Sequence, residues 1–185
     1  MRALMLGSGF FPPTRKLVPT GVNIEEPEWV TLDNNKECSP DVLFDLNKCE
    51  SGIRLPFPDN TFDEIHAYQV LEHFGRQGKA AGFFSTFRML WLALKPDGLL
   101  CGDTPALNSP WLFGDPGHTR VISEQSISFL TRRAYEELGK TTSTDYRKLV
   151  DPHWWLILHA STQGPLPDGG FGETGRFAFV LKKTQ

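Results

Sequence analysis

Several of the features that would assign this chain to a class at once are scarce or missing. Its three cysteines, Cys38, Cys49 and Cys101, are odd in number and show no CxxC spacing. A disulfide framework is therefore not expected, and a reducing, cytoplasmic setting is. No stretch approaches the ~18 consecutive apolar residues of a membrane span, and the N-terminus runs into a strand-like RALML rather than a signal segment. Positive charge is not in surplus, with 19 Lys and Arg against 22 Asp and Glu and a net charge of -3. Bulk nucleic-acid binding is not expected from such a balance. The histidines show no metal-ligand spacing, and no metal is expected.

What is present reads as one globular domain over residues 1–185. Arg2–Leu6 is a short apolar run stopped by Gly7-Ser8-Gly9, a buried strand entering a tight turn where backbone can approach a ligand closely. The segment 10–30 carries Pro12, Pro13, Pro19, Pro27 and Gly21, so a loop is expected there with at most one helical turn around Thr14–Leu17. That leaves one sheet face thinly covered, which a homodimer contact could fill. Trp29–Leu32 and Val42–Phe44 read as the next strands, ending on Asp33-Asn34 and Asp45-Leu46. Asp63–Val70 is a further strand in which His66 and Tyr68 spoil the alternation; Gln69, Glu72 and His73 fall at its carboxyl end.

From about Gln77 to Leu94, Phe83, Phe84, Phe87, Leu90, Trp91 and Leu94 recur at helical spacing and predict a helix with one wide apolar face. Lys95-Pro96-Asp97-Gly98 turns the chain into strand Leu99–Asp103. A long Pro- and Gly-bearing loop, Thr104–Ser123, then leaves a sheet end and should lie over a pocket as a lid. Ser123 reads as the N-cap of a helix reaching towards Leu138. Trp154–Ala160 and Arg176–Lys182 are predicted to form a closing antiparallel pair.

The words LMLGSGF, VTLDNN, LFDL, LPFPDNTFDEIHAYQVLEHF and RMLWLALKPDGLL, in this order over roughly Ala3 to Leu130, resemble the class I S-adenosylmethionine-dependent methyltransferases, in particular a compact, type 11-like subgroup. The resemblance implies an α/β, Rossmann-like methyltransferase sheet, mostly parallel, with an antiparallel C-terminal hairpin and a reduced first crossover helix. It implies S-adenosyl-L-methionine as cofactor, held by Gly7, Ser8, Gly9, Asp33, Asn34, Asp45, Leu46, Gln69 and Glu72. Asp33 would accept from ribose hydroxyls, Asp45 would meet the adenine amino group and Leu46 would line its ring. An Asp merely starting a turn at 33, or capping one at 45, is the rival account of each acid.

Methyl transfer from a sulfonium is an in-line displacement that needs positioning, a desolvated pocket and, for a poor nucleophile, a base. His73 and His118 are the candidates for that base, because imidazole titrates near neutral pH. Each could instead be structural. No N/D-P-P-[YF] word of base-amino methylation is present. Trp111, Phe113 and Arg120 in the lid favour a small-molecule acceptor. Two other readings stay open. The chain could be a catalytically inactive relative acting as a binding or assembly partner, since Met5 and Phe11 stand where the family usually carries an acid and a glycine. A dehydrogenase-like nucleotide enzyme is the third.

Overall fold

The computed structural model describes residues 1–17, 25–136, 144–149, 154–161 and 175–184. Among these residues, seven strands form one sheet in the order β3-β2-β1-β4-β5-β7-β6. They are β1 (Arg2–Leu6), β2 (Glu28–Asp33), β3 (Val42–Leu43), β4 (Phe62–Tyr68), β5 (Leu94–Pro105), β6 (Trp154–Ser161) and β7 (Arg176–Lys183). The first five run parallel, and β7 lies antiparallel between β5 and β6. The expected closing pair is thus present. Its β7 alone runs against the sheet.

Both faces of the central strands are covered, which explains the imperfect alternation of β4. Ile65 and Ala67 join Leu4, Leu6, Leu32 and Leu100 in the main core beneath α2 (Ala80–Ala93), whose Phe84, Phe87 and Leu90 supply the helix side. Glu64, His66 and Tyr68 occupy the alternate positions and are buried too. They are covered by the extended segment 12–17, which contains no helical turn. Arg15 pairs with Glu64, the Lys16 and Leu17 amides donate to Tyr68 Oη, and Leu17 packs against Leu99, Cys101 and Val180. Proline removes amide donors and fixes φ, so this stretch crosses the sheet as a strap where a crossover helix would otherwise lie. Residues 18–24 of the same loop lie outside the described residues.

Other boundaries shift by a few residues. α2 starts at Ala80, because Gly75 and Gly78 take left-handed φ of 78° and 82° and hold residues 74–79 as turns. β5 takes in Leu94 through a register shift opposite Phe62 and Glu64, so the Lys95–Gly98 turn is an interruption within that strand. Ser123 does cap α4 (Glu124–Ser128), exchanging hydrogen bonds with Ser126, but the helix stops there and a separate turn, Arg132–Glu136, follows. Leu138, His153 and the 162–174 link lie outside the described residues.

Candidate active site

The strand order reverses between β1 and β4, and ligands in open α/β sheets sit outside the carboxyl ends at such a point. At the end of β1, Gly7 and Gly9 adopt φ of 58° and 57°. A Cβ on Gly7 would stand 2.5 Å from Val70, whereas one on Gly9 would meet nothing within 4 Å. The first glycine therefore allows close packing onto Val70, just past β4, and the second opens towards free space. Asp33, at the end of the neighbouring β2, accepts from Gly9 N at 2.9 Å and from Asn35 N at 2.8 Å. Both oxygens keep a lone pair for a further donor. Ser8 is half-buried and Asn34 exposed.

Asp45 follows β3. Its Oδ1 accepts from the amide and the side-chain nitrogen of Asn47, just ahead of the short helix α1 (Asn47–Glu50), whose N-cap position is Leu46. Asp45 is half-buried and retains accepting capacity on its second oxygen. Leu46 is 1% exposed within the main core, which leaves little of it for a ligand ring.

Past β4, Gln69 takes a left-handed φ of 56°, and both its amide and its Nε2 donate to Asp103 Oδ1 at the facing position of β5. Arg176 pairs with the other oxygen of Asp103 at 3.2 Å. Asp103 is thus a buried hub of this rim that its place in an apolar run had hidden. A short 310 turn, Leu71–His73, comes next. Its Glu72 was expected at the cofactor. It is wholly buried, and burial pushes its carboxyl up to about 8, to which the charges of Asp103 and Asp115 add.

The Thr104–Ser123 loop, with a turn of helix at α3 (Trp111–Gly114), is fastened rather than free. Thr119 N and Arg120 N both donate to Glu72 O, and Gln77 N donates to Thr119 O. Arg120 departs from its expected place over a pocket. It is 9% exposed, and its guanidinium bridges Glu50 and the carbonyls of Arg76 and Lys79 above the Phe83 ring. Trp111 and Phe113 do remain exposed, the latter at 82%. The loop brings His118 against His73, 45 positions earlier, with ring centroids 4.7 Å apart and edge-to-face geometry. Each imidazole donates from Nδ1 to a carbonyl, His73 to Gly117 O at 3.2 Å and His118 to Leu112 O at 3.3 Å. In the neutral tautomer this leaves Nε2 of both as an acceptor.

His66 and His159 stand elsewhere. The first lies between Glu64 and Tyr68 under the strap, and the second faces Glu124 at the surface. A shallow groove of about 420 Å³ lined by Asp97, Trp155, Ile157 and Lys182 lies at the amino ends of the parallel strands, opposite the glycine bend. No helix among the described residues is long and apolar enough to cross a membrane.

A glycine bend and an acid at adjoining carboxyl ends, in a 3-2-1-4-5-7-6 sheet, define the S-adenosylmethionine-dependent methyltransferase class I arrangement. The sequence agrees. Residues 7–102, just over half of the chain, match the family described as methyltransferase domain, and this chain belongs to that family. S-adenosylmethionine is the methyl donor of the class.

No curated protein matches the sequence. Solved structures do, at the level of fold. An S-adenosylmethionine-dependent methyltransferase from Archaeoglobus fulgidus aligns with TM-score 0.56 at 14% identity, over 98% of this chain and 86% of its own. The N-methyltransferase NodS from Bradyrhizobium japonicum gives 0.59 at 12%, over 100% and 86%. The 1,6-didemethyltoxoflavin-N1-methyltransferase from Burkholderia thailandensis, bound to its acceptor and S-adenosylhomocysteine, gives 0.56 at 12%, over 99% and 71%.

Proposed function

We propose that this protein transfers the methyl group of S-adenosylmethionine to a small-molecule acceptor. The single observation carrying the reading is the hydrogen bond from Gly9 N to Asp33 Oδ2. It joins the glycine bend and the strand-end acid into one open rim at the switch point, the place where an adenosyl group with a vicinal diol would be held. The donor set suits that group. Asp33 offers carboxylate lone pairs to ribose hydroxyls, the Gly7-Ser8-Gly9 backbone allows close approach, and Asn34, Asp45 and Gln69 stand on the same rim. Leu46, buried next to Asp45, and Glu72, buried three residues after Gln69, complete the set.

The donor supplies a sulfonium-activated methyl group, so the protein's task is alignment and removal of the acceptor's proton. His73 and His118 are assigned to that second task, since both present Nε2 where the loop meets the end of β4. A small acceptor fits the exposed Trp111 and Phe113 and the lack of surplus positive charge. The Burkholderia thailandensis relative in fold, with a small heterocycle bound, supports the same substrate class.

Calorimetric titration with S-adenosylmethionine and with S-adenosylhomocysteine tests the reading. Micromolar binding, weakened at least tenfold in Asp33→Ala, is expected. Absence of binding at millimolar ligand would refute it. A mass-spectrometric screen for products 14 Da heavier than the acceptors offered would then define the substrate.

A further inference from the structure

Glu72 is 0% exposed, and neither of its carboxylate oxygens has a hydrogen-bond partner among the described residues. A buried carboxylate in that condition is costly and asks for an occupant beside it. A proton on Glu72 would cancel the charge without supplying a partner, since His118 Nε2 stands 4.0 Å from Oε1, beyond hydrogen-bond reach.

Three side chains converge there. One ligand atom from each of Glu72, His73 and His118 lies within 4.8 Å of the others. Asp115 Oδ2 stands 3.8 Å from His118 Nε2 and offers a fourth oxygen. Both imidazoles are held as metal-binding histidines are: each Nδ1–H is fixed on a carbonyl, Gly117 O or Leu112 O, which orients the ring and leaves Nε2 free to bind. The backbone bonds from Thr119 and Arg120 to Glu72 O lock the loop carrying His118 onto the turn carrying the other two. The side chains are thereby pre-positioned before any ion arrives.

We propose that Glu72, His73 and His118, with Asp115 at the rim, form a site for a first-row transition-metal dication. Two imidazoles and a carboxylate suit zinc or iron better than magnesium or calcium, which favour all-oxygen sets. Ligand atoms on zinc at ~2.0–2.1 Å stand roughly 3.4 Å apart, so the three atoms, now within 4.8 Å of one another, must draw closer on binding. The sequence hides the site because His118 is 45 positions beyond His73 and 46 beyond Glu72. An ion would occupy the same Nε2 lone pairs that proton removal requires. Zinc occupancy and base action by these imidazoles are therefore alternatives in any one molecule.

The test is titration of chelator-stripped protein with zinc chloride, and in parallel with magnesium chloride, without S-adenosylmethionine. One zinc per chain at micromolar or tighter Kd is expected, with magnesium at least a hundredfold weaker. His73→Ala and His118→Ala should each weaken zinc at least tenfold and abolish any zinc-induced rise in Tm, while His159→Ala, at a surface histidine, should change neither. Glu72→Gln should act like the histidine variants. Should it fail to fold, the two histidine variants decide alone. No zinc uptake, or uptake indifferent to His73 and His118, overturns the proposal and leaves the cofactor titration untouched.

Discussion

Arg15 and Glu64 form a buried fork-to-fork ion pair, with Nη2 2.6 Å from Oε1 and Nε 2.9 Å from Oε2. The guanidinium side is 7% exposed and the carboxylate side 2%. This pair ties the strap to the middle of the sheet where a helix would ordinarily lie. Arg15→Ala removes one partner and leaves the carboxylate inside, a change that costs about 3 kcal/mol or more at such sites. Urea denaturation should show that loss. Arg15→Lys should recover only part of it, since an ammonium cannot match both oxygens.

The same pair predicts a pH dependence. Burial would raise the Glu64 carboxyl, but hydrogen bonds from His66 and Arg15 outweigh it and hold the group below its ordinary value. A carboxyl depressed on folding stabilises the protein above its unfolded value, about 4.3 for Glu, and that stability is lost as pH falls through the folded value. In Arg15→Ala the burial effect remains and one offsetting partner is gone. The stability gap between wild type and variant should therefore be wide at pH 7 and narrow at pH 3. An equal gap at both would show that the pair does not carry the difference.

The two glycines of the bend should separate packing from binding. Gly7→Ala drives a methyl into Val70 at a left-handed φ and should lower stability by about 2 kcal/mol or more. Gly9→Ala meets open space and bears only the backbone strain, about 1 kcal/mol. Its methyl enters the region assigned to the cofactor, so S-adenosylhomocysteine affinity should fall at least tenfold. Thermal melts alongside calorimetry check both, and Gly9→Ala binding as wild type would move the cofactor away from this bend.

Arg120 should behave as a structural rivet. Arg120→Ala strands Glu50 and two carbonyls in a confined space and should destabilise by about 2–4 kcal/mol. Limited proteolysis should cut first within 106–123, the stretch it holds down. A variant that keeps its stability but changes acceptor preference would return Arg120 to the pocket.

The sheet was legible because its strands are apolar runs with turn residues between them, and its mostly parallel course with an antiparallel closing pair followed from the resemblance carried by LFDL, QVLEHF and LKPDGLL; the order of the strands was not written in any of them. The acids at 33 and 45 and the glycine bend were readable as strand-end words. Arg120 was misplaced because a sequence shows that an arginine is near a pocket loop, not which carbonyls will meet it. His66 and Tyr68 looked like flaws in a strand for a related reason. The groups that bind Glu64 and Tyr68 lie 49 to 52 positions away on a proline-rich strap whose path has no periodic signature, and His66 sits between those two residues. The meeting of His73 with His118 is likewise a product of loop anchoring through Glu72 O, which no spacing encodes.

The cysteines report on the two faces of the sheet separately. Cys49 and Cys101 are 0% exposed, and burial pushes both thiols up to about 12. At pH 8 a thiol with that value is thiolate in roughly one molecule in ten thousand, far too little to react at an ordinary rate. Cys38 is half-buried; burial and the charges of Asp33 and Glu37 raise it as well. Titration of the native protein with an aromatic disulfide should therefore label Cys38 slowly and the other two only on denaturation. Cys101 lies under the strap with Leu17, whereas Cys49 sits in the core beneath α2 and its carbonyl accepts from Ser85. Loosening the strap with Arg15→Ala should expose Cys101 ahead of Cys49, at a denaturant concentration below the global midpoint. Simultaneous labelling of both would mean that the strap and the core open as one unit.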